Sequence, residues 1–174
     1  PLRRTQAVVP FGIGAIVDFP KQTLMAAGLD VWPEEPQCQI HDDRLARRLR
    51  VNYFRSPPPA PREGQAGAYL PFVRFPLWYL CPRNSCKALI KTKWNEGSPP
   101  KCTSQLGSRF NRPQNYKTCS ELSAKKRRTM NPVRFVVACE HGHIDDFPWI
   151  EWAHTPLGKP LDEASVCSEP QLRL

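Results

Sequence analysis

The sequence predicts an irregular α+β fold, built from short strands, one clear helix and a zinc-ribbon-like cysteine insertion. Three observations carry this. Twenty prolines in 174 residues exceed the usual share of about 5%, and each removes a backbone donor and obstructs the preceding helical turn. A hydrophobic content of 40% with 10% aromatics is too high for a disordered chain, which buries too little apolar surface to offset its entropy. Seven cysteines then offer the staples that a small core among long loops needs.

In chain order, residues 7–9, 15–19 and 23–27 are short apolar runs punctuated by Gly or Pro, which suit short strands joined by turns. The Gly12-Ile13-Gly14 piece is no phosphate loop. It lacks the spaced glycines and the Lys-Ser/Thr pair, and Pro20 and Pro33 stand where a helix would have to follow. Its glycines serve a tight backbone path instead. Residues 40–54 hold the best helix, with Asp42 as N-cap and Asp43 at the positive end. Leu45 and Leu49 share a face, and Arg44, Arg47, Arg48 and Arg50 surround it, as a solvated basic face or as phosphate contacts. The SPPPAP stretch opens a semi-rigid linker over 56–68. This divides the chain into an N-terminal strand and helix unit, 1–55, and a cysteine-rich zinc-binding unit, 69–174. Residues 69–80, aromatic and broken by two prolines, read as an edge or irregular strand.

Cys81 and Cys86 are separated by four residues in CPRNSC, a spacing at which one tight turn aims two thiolates at one ion. Cys102 and Cys119 form no second tight pair but can complete a four-thiolate zinc site, with 103–118 as a basic loop between ligands; the alternative is that some of the four are buried small hydrophobes. Cys38, alone among acids and prolines, reads as a buried small hydrophobe. The odd cysteine number and the absence of a signal-like segment favour reduced, metal-bound thiolates in the cytoplasm over a disulfide framework. No apolar run approaches the roughly 20 residues that span a membrane.

The densest stretch is 132–152, PVRFVVACEHGHIDDFPWIEW. It reads as a buried strand feeding a Cys/His corner, pinned by Phe147, Trp149 and Trp152. Its HGHIDD piece resembles the H-x-H-x-D-H signature of metallo-β-lactamase-like hydrolases, but Asp146 stands where the last histidine belongs. A second zinc, held by Cys139, His143, His154 and Cys167, suits these residues better. Hydrogen-bonded corner residues are the plainer alternative.

A net charge of +9 favours acidic partners, nucleic acid foremost. Lys125, Lys126, Arg127 and Arg128 form a basic run, read as a solvated loop or as backbone-phosphate contacts.

Taken together, RRTQAVVPFGIGAIVDFP, LMAAGLDVWP, DDRLARRL, YLPFVRFPLWYLCP and NPVRFVVACEHGHIDDFPWIEWAHT resemble, in order, the N-terminal part of DrmB proteins of DISARM, a bacterial anti-phage defence system. The family's first cysteine pair is usually a closer C-P-x-C, which leaves the ligand register open. The resemblance implies a longer protein, of which this chain is a piece, and a DrmA-like partner, an SF2-type helicase acting on foreign DNA. The function expected is a non-catalytic accessory subunit, with zinc as cofactor and Arg44, Arg47, Arg48 and 125–128 on the DNA backbone. The alternatives are a metal-dependent hydrolase or nuclease using His141, His143 and Asp145, and a purely protein–protein module.

Overall fold

A computed structural model of the chain describes residues 4–7, 10–19, 22–32, 36–58, 70–95, 98–106 and 117–174. These form two compact units, Pro1–Phe19 with Leu24–Val73 and Pro20–Thr23 with Arg74–Leu174. The expected linker, 56–68, lies outside the described residues from position 59 onward, and so do Val8, Val9 and most of the loop 103–118. The architecture is mixed α and β with short strands and one clear helix, as the proline content demands.

The strands β1 (Ile16–Phe19), β2 (Gln22–Ala26) and β5 (Phe72–Arg74) form a sheet in the order β1-β2-β5. Gly14 makes the turn into β1 at φ +82°, the left-handed region that glycine enters without a Cβ clash. Its amide donates to the Ala26 carbonyl at 2.9 Å, so the glycine pair shapes backbone. Two further strands, β3 (Gln39–Ile40) and β4 (Phe54–Arg55), pair antiparallel on either side of the helix α1 (Asp43–Leu49). Asp42 caps α1, its Oδ1 accepting from the Leu45 amide at 2.9 Å. The helix is shorter than 40–54 because Arg50 turns left-handed at φ 56° and ends it. Its packing departs from the amphipathic reading. Ala46 is the buried residue, while Leu45 and Leu49 are 43% and 56% exposed. Cys38 is buried, as a small hydrophobe would be.

The second unit is organised by a four-stranded sheet, in the order β11-β7-β6-β8. These strands are β6 (Trp78–Leu80), β7 (Ala88–Lys91), β8 (Asn131–Pro132) and β11 (Leu172–Arg173). All three pairings are antiparallel, with Tyr79 opposite Ile90 on one side and Pro132 on the other. One side of this unit's core is Tyr79, Cys81, Cys86, Ala88, Cys102, Cys119 and Met130. The other is Trp78, Leu89, Val133 and Trp149. The stretch 132–152 supplies β9 (Val136–Ala138), β10 (Ile144–Asp146) and the short helix α2 (Trp149–His154). Here the buried-strand expectation is corrected. β9 pairs with β10 alone, in a two-stranded hairpin, and Val137 is 39% exposed. Val133, just before it, is the buried member. Of the three aromatic anchors, Trp149 is buried and Trp152 exposed, and both rings meet Phe147, at 4.6 and 6.0 Å.

Candidate metal centre

The first cysteine pair sits on the turn between β6 and β7. The Cys81 amide donates to the Ala88 carbonyl at 2.9 Å, closing the hairpin. Within it the Arg83 carbonyl accepts from the amides of Cys86 (2.8 Å) and Lys87 (3.0 Å). Lys87 adopts φ +52° to complete the reversal. The knuckle points both thiols inward, and both are fully buried.

Cys102 and Cys119 come from the loop side. The segment around Cys102 is held by the segment that closes the basic run. The Cys102 amide donates to Arg128 O (3.1 Å), Met130 N to Pro100 O (2.9 Å), and Lys101 faces Thr129 across a β-bridge. Ser120 N donates to Ser104 O at 3.1 Å, bringing Cys119 alongside. A Thr118–Glu121 turn orients it further, with Glu121 Oε2 accepting from the Thr118 amide at 2.6 Å.

The result is a closed set of donors. The sulfurs of Cys81, Cys86, Cys102 and Cys119 all lie within 4.8 Å of one another. Cys81 to Cys119 measures 4.0 Å and Cys86 to Cys102 3.8 Å. A tetrahedron with metal–sulfur bonds of about 2.3 Å has edges of about 3.8 Å. All seven cysteines are free thiols, so none of these pairs is a disulfide. The four can hold a metal ion.

The electrostatics agree. Burial pushes the Cys81 thiol up to about 11 and raises Cys102 as well. Cys86 is lowered: burial acts upward, but hydrogen bonds from the Ala88 amide and the neighbouring thiols outweigh it. Burial thus holds the protons on Cys81 and Cys102, and a bound cation would displace them. Arg83 stands beside the cluster, where it would offset the charge of four metal-bound thiolates: its Nη1 lies 3.8 Å from Cys119 Sγ and donates to the Lys117 carbonyl at 2.7 Å. Sequence reading passed over Arg83, although its place inside CPRNSC was the signal. It also passed over Arg74, which is buried, donates to the Ser98 carbonyl at 2.5 Å and stands 5.3 Å from the Tyr79 ring centre.

The other expected residues fall as follows. Cys139 Sγ lies 3.3 Å from His143 Nδ1, and Cys167 Sγ 3.2 Å from His154 Nε2. These are two pairs: no three of the four have their donor atoms within 4.8 Å of one another. The hydrolase-like set does not assemble either. Among the described residues, His141, His143 and Asp145 join no group of three metal-ligating side chains. Asp146 is committed to the fold, its Oδ1 accepting from the Leu77 amide at 2.8 Å and its Oδ2 standing 3.9 Å from Lys91. Lys125, Lys126 and Arg128 are exposed. With Thr129 and Pro82 they line an open concavity of about 610 Å³. Arg127 differs from its neighbours, since its guanidinium donates to the carbonyls of Leu122 (2.9 Å) and Ser120 (2.8 Å) and so holds the loop. Arg44, Arg47 and Arg48 are exposed on α1.

Fold and site define a class: an irregular α+β protein with four converging thiols in the buried core of its second unit. The chain belongs to the family described as Domain of unknown function (DUF8724), whose model matches residues 3–174. It is also 28% identical, over 145 residues, to the DISARM protein DrmB of Bacillus paralicheniformis, an alignment covering 79% of this chain and 21% of that protein. The DrmB-like character read from the motifs is borne out by this relative. The chain spans about a fifth of the length of the curated relative it matches. Among the described residues, no helix is long and apolar enough to cross a membrane.

Proposed function

We propose that the protein is a cytoplasmic, non-catalytic, zinc-stabilised subunit of a bacterial anti-phage defence complex, which docks an SF2-type, DrmA-like helicase and helps hold DNA by its phosphate backbone. The observation that carries this is the hydrogen bond from the Cys102 amide to the Arg128 carbonyl. It ties the exposed cations Lys125, Lys126 and Arg128 to the cysteine centre. A filled centre would therefore fix the basic loop as a rigid platform, and zinc is the ion that four thiolates in a closed tetrahedral set usually select. The similarity to DrmB supports the defence setting. We assign the exposed Leu45 and Leu49 on α1, flanked by Arg44 and Arg48, to the face that meets the protein partner.

Contacts to phosphates give affinity without sequence preference and a steep salt dependence. The test is to co-purify the full-length protein with its helicase neighbour, measure metal on the complex, and titrate duplex DNA binding against salt. Stable co-purification, zinc in the complex and a steep log–log slope are expected. A flat slope would leave a protein–protein module alone. Iron instead of zinc would reassign the ion. A metal-dependent nuclease activity lost in His141→Ala would overturn the non-catalytic reading.

A further inference from the structure

The two Cys/His pairs outside the four-cysteine centre have the features of a divided metal site. Cys139 and His143 stand at the end of the β9–β10 hairpin. Their backbones pair through Cys139 N to His143 O at 3.0 Å, and Gly142 N returns to Cys139 O at 3.0 Å. Gly142 sits at φ +83° with no atom within 4 Å of where a Cβ would stand. The residue therefore serves the tight reversal, which aims Sγ and Nδ1 at a common point 3.3 Å apart. His154 closes α2, with its Nδ1 2.7 Å from the Ile150 carbonyl. A carbonyl only accepts, so Nδ1 carries a proton, and in the neutral imidazole Nε2 then holds the lone pair. That nitrogen faces Cys167 Sγ at 3.2 Å. A ligating histidine is commonly held in this way, its other ring nitrogen donating to a carbonyl. Bonds of about 2.3 Å to sulfur and 2.0–2.1 Å to nitrogen give a tetrahedral S···N edge of about 3.5 Å, close to both observed separations.

We propose that Cys139, His143, His154 and Cys167 together bind one zinc-class cation, separate from the four-cysteine centre. Each pair already has a ligand edge, and binding draws the two pairs together around the ion. Cys139, His143 and Cys167 are exposed, so the ion enters from solvent without opening the core. The site joins the hairpin, the end of α2 and the segment before β11. It would fix this face of the second unit as the four-cysteine centre fixes the other.

The test is cobalt titration and zinc quantification on the full chain and on the variants Cys139→Ser, Cys167→Ser and Cys102→Ser. Mixed S₂N₂ cobalt has ligand-field and thiolate charge-transfer bands different from those of S₄ cobalt, so the two centres are read separately. Two equivalents per wild-type chain are expected. Cys139→Ser and Cys167→Ser should each lose the same S₂N₂ equivalent and keep the S₄ bands. Cys102→Ser should lose the S₄ bands, and near-ultraviolet circular dichroism checks that the Cys139 and Cys167 variants fold. The proposal is overturned by one equivalent in the wild type, by three equivalents, or by a Cys167→Ser protein that still carries an ion at Cys139 and His143.

Discussion

Replacing Cys102 by alanine distinguishes a metal centre from a merely hydrophobic core. If the four cysteines were only small apolar residues, the cost would be that of a trimmed side chain and a small cavity, about 1–2 kcal/mol. The second unit gives them more weight, because they are four of the seven residues in its fully buried cluster. A structural ion held by thiolates contributes apparent binding energies of about 10–16 kcal/mol at neutral pH, against a total domain stability of about 5–15 kcal/mol. Losing one ligand of four should therefore remove most of the second unit's stability. The expected outcome is a wild-type protein whose second transition collapses on exhaustive chelation, and a Cys102→Ala protein that lacks that transition with or without chelator. Because all four residues serve one ion, Cys81→Ala combined with Cys102→Ala should be little worse than either alone, a strong departure from additivity. Thermal melts followed by near-ultraviolet circular dichroism, with metal quantified in parallel, measure each of these. The reasoning is refuted if Cys102→Ala keeps a second-unit transition lowered by no more than about 4–16 °C, the shift that 1–2 kcal/mol produces in a domain of about 100 residues, or if chelation leaves the wild-type transition unmoved.

Three further outcomes are expected. Burial lifts the Asp146 carboxyl above its ordinary 3.8, against the opposing Leu77 amide and Lys91. The native state thus keeps a proton that the unfolded chain releases, and the stability from this group is greatest at or below about pH 4 and falls as pH rises through the lifted value. Asp146→Asn mimics the protonated acid and keeps an acceptor for Leu77, so it should match the wild type near pH 4, exceed it at neutral pH and lose this dependence. Asp146→Ala should cost about 1–3 kcal/mol by leaving that amide unmet. Denaturant midpoints at acid and neutral pH compare the three. On DNA, the Lys125→Ala, Lys126→Ala, Arg128→Ala triple variant should flatten the log–log salt slope by up to about 2.7, at about 0.9 for each duplex phosphate no longer neutralised. Arg127→Ala should lower stability instead, since its guanidinium holds Ser120 and Leu122. Finally, Asp42→Ala should cost about 0.5–2 kcal/mol, confined to α1 and visible as faster amide exchange around Leu45.

Much of this protein is legible without coordinates. Prolines forbid long regular elements, so the short-strand α+β class follows from composition. Asp42 declares itself as a helix cap through residue type and position. The CPRNSC turn announces a thiolate pair, because a turn of that length has few other uses for two cysteines. The ordered motifs mark a DrmB-like chain. Tertiary structure decided what depends on distant partners. Cys102 and Cys119 have no tight spacing, and only the pairing of 100–104 with 128–130 and 120 brings them to the knuckle. Asp146 breaks the hydrolase-like signature in sequence, but only the fold shows its use, accepting from the Leu77 amide 69 residues away in sequence. Leu45 and Leu49 have core spacing but little to pack against, so the apolar face of α1 stays exposed. Local chemistry fixes turns and caps, whereas membership of a site depends on which loops close together, and in the second unit that closure is made around four sulfurs.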